Sequence, residues 1–347
     1  MSEGKIKNFF PGSNTVQGFY SFYEYLPHNA ENIFIIKGGP GTGKSTTMKN
    51  IGKIFKKNNL DIEYHWCSSD NQSLDGVVIP TKKVALFDGT APHEYDPQYP
   101  GAVGEIVNFG QYWDKNELQK NKAKIKDLFQ VIENYFNKAY NRLRRGELYY
   151  QEIEKQYQKK YETTKTFRLI NKITTEIVPA DTQVTNKGPE RHLFGSAITP
   201  GGYIDSVQEL TDKIKKCYLL QGKPDSEASK IINNTGQYIQ THGYYVLYLH
   251  SGFKPDLIDA IISPELDFAL IRKAKPYNVQ NHHKNFNLIN NNNHQEDKIN
   301  NYIKKAVNNL KKAKQKHDQL EEYYIQAMDF QKINDLETTL VDKISAL

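Results

Sequence analysis

The sequence predicts an α/β chain made of two related lobes, each with a parallel sheet and a long helical extension. Three observations predict it. Gly38 and Gly222, Pro40 and Pro224, Asp75 and Asp259, Pro80 and Pro264, and Pro92 and Pro276 form pairs separated by one offset of 184 positions. Apolar character follows the same offset, IFIIKG matching CYLLQG and LDGVVIP matching IDAIISP. Each copy also alternates short apolar runs with a helical period before a polar stretch rich in Lys, Glu and Tyr. One register held with its prolines in place reads as a tandem duplication.

The elements follow in order. Ile33–Lys37 is apolar on both faces, as a central parallel strand requires. A glycine loop leads into a helix from about Lys44 to Asn58, with Met48, Ile51 and Phe55 on one side. A second strand spans about Ile62–Cys67, Leu74–Ile79 reads as a short amphipathic piece, and Val84–Asp88 is a third strand. Upstream, GSNTVQGFY resembles GSAITPGGY at nearly the same shift. The helical regions, about 115–173 and 296–346, are expected to fold back as hairpins, and residues 134–145 resemble 301–312. Neither carries a sustained a/d heptad, so no long coiled coil is expected. Residues 177–190 have a linker's composition. The domains expected are therefore 1–176, a first lobe with its extension, and 191–347, a second lobe with its own. Residues 290–294, NNNNH, read as a polar loop.

Composition narrows the classes. Hydrophobic residues make up 38% of the 347, and no apolar run approaches the roughly 18 residues that span a bilayer. Mean hydropathy is −0.71. The first residues lack the charged-then-apolar pattern of a secretion signal, and a cytoplasmic protein is expected. Cys67 and Cys217 fit no metal spacing and read as buried thiols. A net charge of +6 permits contact with polyanions without requiring it.

Chemistry concentrates in one place. Gly38-Gly39-Pro40-Gly41-Thr42-Gly43-Lys44-Ser45 matches G-x-x-x-x-G-K-[ST] in full, between a predicted strand and a predicted helix. Glycine lets the backbone wrap a phosphate closely, and amides at a helix start, through Thr46, favour an anion. Lys44 adds a mobile charge bridging the terminal phosphates, and the Ser45 hydroxyl is placed to ligate Mg2+. The magnesium carboxylate is expected at the end of a neighbouring strand, where VALFD supplies Asp88. Gly89 follows it, so any group activating the nucleophile comes from elsewhere. Asp70, His93, Glu94 and Asp96 follow strand ends at the edge where ligands of such sheets bind, each a candidate base, water-positioning group or substrate ligand.

The second copy of the loop is spoiled. At the offset of 184, Gly41 becomes Asp225, Gly43 becomes Glu227, Lys44 becomes Ala228 and Asp88 becomes Arg272, while Ser45 persists as Ser229. Two carboxylates and a lost lysine disfavour polyphosphate, so one working site is expected.

GGPGTGKST, SLDGVVIP, DGTAPHEYDP and the repeated AITPGGY together resemble a group of bacterial tandem P-loop ATP-binding proteins, found mainly in spore-forming Gram-positive organisms. The resemblance covers essentially the whole chain. It implies a P-loop NTPase fold and ATP binding, on Gly38 to Ser45 and Asp88, and implies no particular reaction. In the group's other members the second loop tends to be intact, and here it is not.

Three functions compete. In a cytoplasmic Mg-ATPase, lobe two serves as a pseudo-lobe, with Arg272 and Arg191 as candidate arginines lent across the lobes. In a small-molecule kinase, Asp70 sits near the acceptor hydroxyl and Arg142, Arg144 and Arg145 form a lid. The third is an ATP-switched nucleic-acid-binding or scaffolding protein, permitted because basic residues outnumber acidic ones roughly two to one over 115–173. No guanine-reading N-K-x-D follows the loop, so ATP is the expected nucleotide.

Overall fold

A computed structural model of the protein describes residues 3–91, 95–158, 163–182, 186–222, 225–273, 277, 279–280, 282–288 and 295–347. The first copy runs through β1 (Ile6–Phe9), β2 (Gly12–Thr15), β3 (Gly18–Ser21), β4 (Asn32–Lys37), α1 (Lys44–Lys57), β5 (Ile62–Trp66), β6 (Leu74–Ile79), β7 (Val84–Asp88) and β8 (Gly104–Asn108). The helices α2 (Lys115–Lys120), α3 (Lys122–Gln158) and α4 (Thr163–Ile177) follow. The second copy runs through β9 (Glu190–Phe194), β10 (Ser196–Thr199), β11 (Gly202–Asp205), α5 (Val207–Thr211), β12 (Lys216–Gln221) and α6 (Asp225–Thr241). It continues through β13 (Val246–His250), β14 (Ile258–Ser263), β15 (Phe268–Lys273), β16 (Lys284–Asn287), α7 (Gln295–Ala327) and α8 (Phe330–Ala346).

The duplication is explicit in the topology. One sheet has the order β1-β5-β6-β7-β4-β8, and the other β9-β13-β14-β15-β12-β16, the same order strand for strand. Seven strands of each copy start 184 positions apart. Backbone detail repeats as well. Lys83 and Asp267, again 184 apart, both take the left-handed conformation, with φ of 54° and 50°. Gly52 and Gly236 repeat a packing constraint: a Cβ on either would meet the ring of Tyr64 or Tyr248 within 2.7 Å. The strand tyrosine therefore needs a helix without a side chain at that point.

The sheets are mainly parallel, and here the sequence expectation needs correction. The Leu74–Ile79 segment is a fully buried strand, antiparallel to both β5 and β7. The physical reason is connection length. Four residues join β6 to β7, whereas a parallel crossover needs roughly a dozen or more. The left-handed Lys83 closes that turn.

The chain folds into two compact units that do not follow its two sequence copies. Unit 1 comprises residues 1–11, 21–139 and 308–347, and unit 2 comprises 12–20 and 140–307. The cuts fall in α3 and α7 at positions 168 apart, within one residue of the same place in each copy. The expected grouping of each lobe with its own extension is thus replaced by an exchange. In unit 1 the core under β4 to β7 takes Met328, Ile333, Leu340 and Ile344 from the second copy, alongside Met48, Ile51 and Phe55 of α1. In unit 2 the core takes Ile170, Ile173 and Ile177 from α4 of the first copy, alongside Ile231, Ile232 and Ile239 of α6. α4 and α8 each carry an apolar stripe, and each buries it against a sheet and its helix. The hairpin of β2 and β3 also belongs to unit 2, where β2 lies along β10 and Asn14 Nδ2 donates to the carbonyl of its repeat counterpart, Ile198, at 2.8 Å.

Both cysteines are free and buried, as the sequence suggested. Burial, helped by Asp75, holds the Cys67 thiol well above its ordinary range, and burial pushes Cys217 up to about 11. Both thiols stay protonated and unreactive near neutrality. Among the described residues no helix is long and apolar enough to cross a membrane.

Unit 2 carries a histidine pair with a measurable consequence. His250 Nδ1 lies 2.6 Å from the Pro255 carbonyl and donates to it, leaving Nε2 to accept from His192 Nδ1 at 2.8 Å. Burial lowers the His250 pKa to about 4 and lowers that of His192 as well. On unfolding, both recover a pKa near 6.5, so the unfolded chain binds more protons below that value. Stability is therefore expected to fall as pH drops from about 6.5 to 4, by roughly 2 kcal/mol for His250. Urea midpoints across that range check it, and the slope should flatten in His250→Gln.

Candidate functional site

The site is built where β4 ends. β7 pairs with β4 in parallel, with Asp88 opposite Ile36, so Asp88 emerges beside the loop that follows β4. Gly41 and Gly43 have φ of 69° and 94°, and Gly43 caps α1, so both occupy backbone conformations that strain any residue with a Cβ. Thr42 Oγ1 donates to Gly39 O at 2.8 Å and fixes the loop's curvature. Lys44, largely buried, donates to Gly38 O at 2.9 Å and Gly39 O at 2.6 Å, and its Nζ lies 3.5 Å from Asp88 Oδ2. Asp88 Oδ1 accepts the Thr90 amide at 2.8 Å, and Thr90 Oγ1 in turn donates to Gly38 O at 3.0 Å. Loop, lysine and carboxylate are therefore one hydrogen-bonded assembly.

The remaining expected residues divide. Ser45 Oγ accepts the Leu74 amide at 2.9 Å, which ties α1 to β6 and leaves one lone pair for another ligand. Pro40 is half-buried in the loop and Thr46 is exposed on the first turn of α1. Asp70 is engaged structurally: its carboxylate accepts Gln72 N at 3.1 Å and Ser73 Oγ at 2.9 Å, and it pairs with Lys314 Nζ at 3.3 Å. Asp96 is solvent-exposed and pairs with Lys37 at 3.3 Å. His93 and Glu94 lie outside the described residues.

Sequence reasoning missed the helix that lies on the loop. A Cβ on Gly39 would come within 2.5 Å of Tyr324 Cε1, and one on Gly41 within 2.9 Å of Glu321 O. Gly39 is thus set by the close approach of α7, and Gly41 by that approach as well as by its left-handed backbone. Tyr324 also meets Trp113 edge-on, with ring centroids 6.0 Å apart, and the Asp114 amide donates to Ala327 O at 2.7 Å.

In unit 2 the corresponding loop has become helix. α6 begins at Asp225, the counterpart of Gly41, three residues before the counterpart of Lys44. Replacing the left-handed glycines with Asp225 and Glu227 removes what kept the chain out of the helix. The Ser226 amide donates to Glu154 Oε1 at 3.1 Å, so a carboxylate from α3 caps this helix start. Ala228 is buried, and Thr166 Oγ1 donates to Glu227 at 2.6 Å. Ser229 Oγ accepts the Ile258 amide at 2.7 Å, repeating the bond between Ser45 and Leu74. Its retention is explained by that tie between helix and strand.

Neither candidate arginine is available to lend. Arg272 donates through Nε and Nη2 to Asp259 Oδ1 at 2.9 and 2.6 Å, and the Tyr277 hydroxyl takes the other carboxylate oxygen. Arg191 is fully buried in β9. Burial in well-packed surroundings commits both to unit 2. Arg142, Arg144 and Arg145 also belong to unit 2, not to the unit that holds the loop.

One ion pair records the duplication in reversed charge. In unit 1 Asp70 pairs with Lys314. In unit 2 their counterparts, at offsets of 184 and 167, are Lys254 and Glu147, whose charged atoms lie 3.0 Å apart. The attraction survived while both signs changed, which marks the contact as one that seats the extension helix. Asp70→Lys is expected to cost about 1–3 kcal/mol, and adding Lys314→Glu to recover most of it. A double-mutant cycle in urea checks it; no recovery would assign Asp70 another role.

No protein-family model, curated protein or solved structure matches the chain significantly.

Proposed function

We propose that the chain is an ATP-binding P-loop protein that hydrolyses Mg-ATP at a single site, the Gly38–Ser45 loop of unit 1, and that unit 2 is a pseudo-lobe. The observation that carries this reading is the assembly of Lys44, Asp88 and the left-handed glycines at the start of α1, set against a second copy in which the same positions have become helix and ion pair.

The residues fit the nucleotide and its metal. Gly41 and Gly43 keep side chains off the curve of the loop, and α1 opens there with its amides and the positive end of its dipole. Lys44 already reaches around that curve to its carbonyls, so its charge is at hand for terminal phosphates. Ser45 and Asp88 would hold magnesium, which supplies charge neutralisation on the phosphates. Asp88 keeps an oxygen directed toward Lys44 while its other oxygen is fixed by Thr90, so the carboxylate is orientated before any ligand arrives.

Titration of the full chain with Mg-ATP by calorimetry tests the reading. One nucleotide per chain, with phosphate released, supports it. Two nucleotides per chain, or none, overturns it.

A further inference from the structure

Gly89 follows Asp88, so β7 offers no adjacent carboxylate for an attacking water. The 308–327 portion of α7, which belongs to unit 1, offers one. A Cβ on Gly41 would lie 3.1 Å from Glu321 Cβ, so Glu321 stands immediately beside the loop. One turn earlier, His317 Nδ1 is buried without a hydrogen-bond partner among the described residues and lies 3.6 Å from Glu321 Oε1. Burial lowers the His317 pKa, with Glu321 working the other way, and the ring is neutral near pH 7. Lys314, a further turn back, holds this helix to Asp70 in the segment just before β6.

The repeat supplies an independent reading of the same position. Glu154 is the counterpart of Glu321 at the offset of 167, and its carboxylate accepts the Ser226 amide, which corresponds to that of Thr42 in the loop. In unit 2, a glutamate at this point of the extension helix therefore reaches an amide at the start of α6.

We propose that Glu321, orientated by His317, positions and deprotonates the water that attacks the terminal phosphate held at the Gly38–Ser45 loop; this rests on the nucleotide reading above. In that step a water O–H bond breaks and its proton passes to the Glu321 carboxylate, while the water oxygen bonds to the terminal phosphorus. The bond from that phosphorus to the bridging oxygen breaks, and its electron pair leaves with the diphosphate. Glu321 then returns the proton to solvent. The group missing after Asp88 is thus supplied by the other sequence copy.

The test uses the full-length chain, with Glu321→Gln, Glu321→Asp and His317→Ala, and with Glu154→Gln as a comparison in unit 2. Phosphate release, ATP affinity by calorimetry and the identity of the nucleotide retained after gel filtration are measured together. Emission of Trp113, isolated in a Trp66→Phe background, reports whether Tyr324 remains seated on the loop. Glu321→Gln is expected to lower phosphate release about 100-fold or more, to leave ATP affinity within about threefold, and to retain ATP rather than ADP. Glu321→Asp should restore part of the rate, His317→Ala should lose about tenfold, and Glu154→Gln should keep wild-type turnover. Tighter ATP binding with unchanged turnover in Glu321→Gln would make the carboxylate a plug and overturn the proposal. Unchanged binding and turnover overturns it too, as does an unaltered chain that binds ATP but releases no phosphate. An unaltered chain that binds no nucleotide overturns the nucleotide reading itself, and this one with it.

Discussion

A fragment ending at residue 176, the whole first copy by sequence, is expected not to fold alone. It contains β1, β4 to β8 and α1, which is every strand of the unit 1 sheet. It lacks Met328, Ile333, Leu340 and Ile344, all buried in the unit 1 core, and the partly buried Leu336 and Val341 packed against them. Burying an aliphatic side chain of this size is worth about 1.5–3 kcal/mol, so the four fully buried ones contribute roughly 6–12 kcal/mol. A domain's net stability is about 5–15 kcal/mol, so the deficit is of the same size as the whole margin. The fragment would also expose Ile170 and Ile173, whose apolar faces have their core in unit 2. Far-UV and near-UV circular dichroism with urea titration should find no cooperative transition, and co-expression with residues 177–347 should restore one. A fragment that unfolds cooperatively by itself would show that the exchanged helices are ornament.

Lys44→Ala is expected to abolish nucleotide binding while leaving the chain folded. The ammonium makes two charge-assisted hydrogen bonds to loop carbonyls and faces Asp88. Redirected to phosphates, two such bonds are worth about 3–5 kcal/mol together, a loss of roughly 100- to 1,000-fold or more in affinity. The protein contains its own control, because Ala228 occupies the equivalent helix position in unit 2 and is buried there. Calorimetry should therefore move from one nucleotide per chain to none, with little change in thermal midpoint without nucleotide. Ser229→Ala, which removes only the tie to the Ile258 amide, should leave one nucleotide bound. Retained binding in Lys44→Ala would remove the loop from the function proposed for it.

Much of the molecule was legible before any coordinates. The apolar runs and the offset of 184 placed β4, β5 and β7 with their counterparts β12, β13 and β15, since strand starts tolerate no slip without turning a buried face outward. Gly41 and Gly43 were readable because only glycine takes their backbone conformation cheaply. The spoiled loop was readable because Asp225 and Glu227 replace them. Other features had a signal that went unread. Four residues between Ile79 and Val84 forbid a parallel crossover, and so announce that β6 is antiparallel. The paired reversal of Asp70 with Lys314 against Lys254 with Glu147 needs only the two offsets to be seen.

The sequence by itself determined a duplicated α/β chain, the place of its central strands and first helix, and one glycine loop kept in the first copy and lost in the second. Each follows from local rules: side-chain alternation, the φ a glycine permits, and the length a connection needs. Only the tertiary structure decided which extension helix completes which sheet, that Arg272 is spent on Asp259, and that Glu321 and Tyr324 lie on the loop. The reason is that the apolar stripes of α4 and α8 fit either sheet by pattern alone. A stripe states that a face must be buried, and the partner that buries it is chosen by packing between residues far apart in the chain.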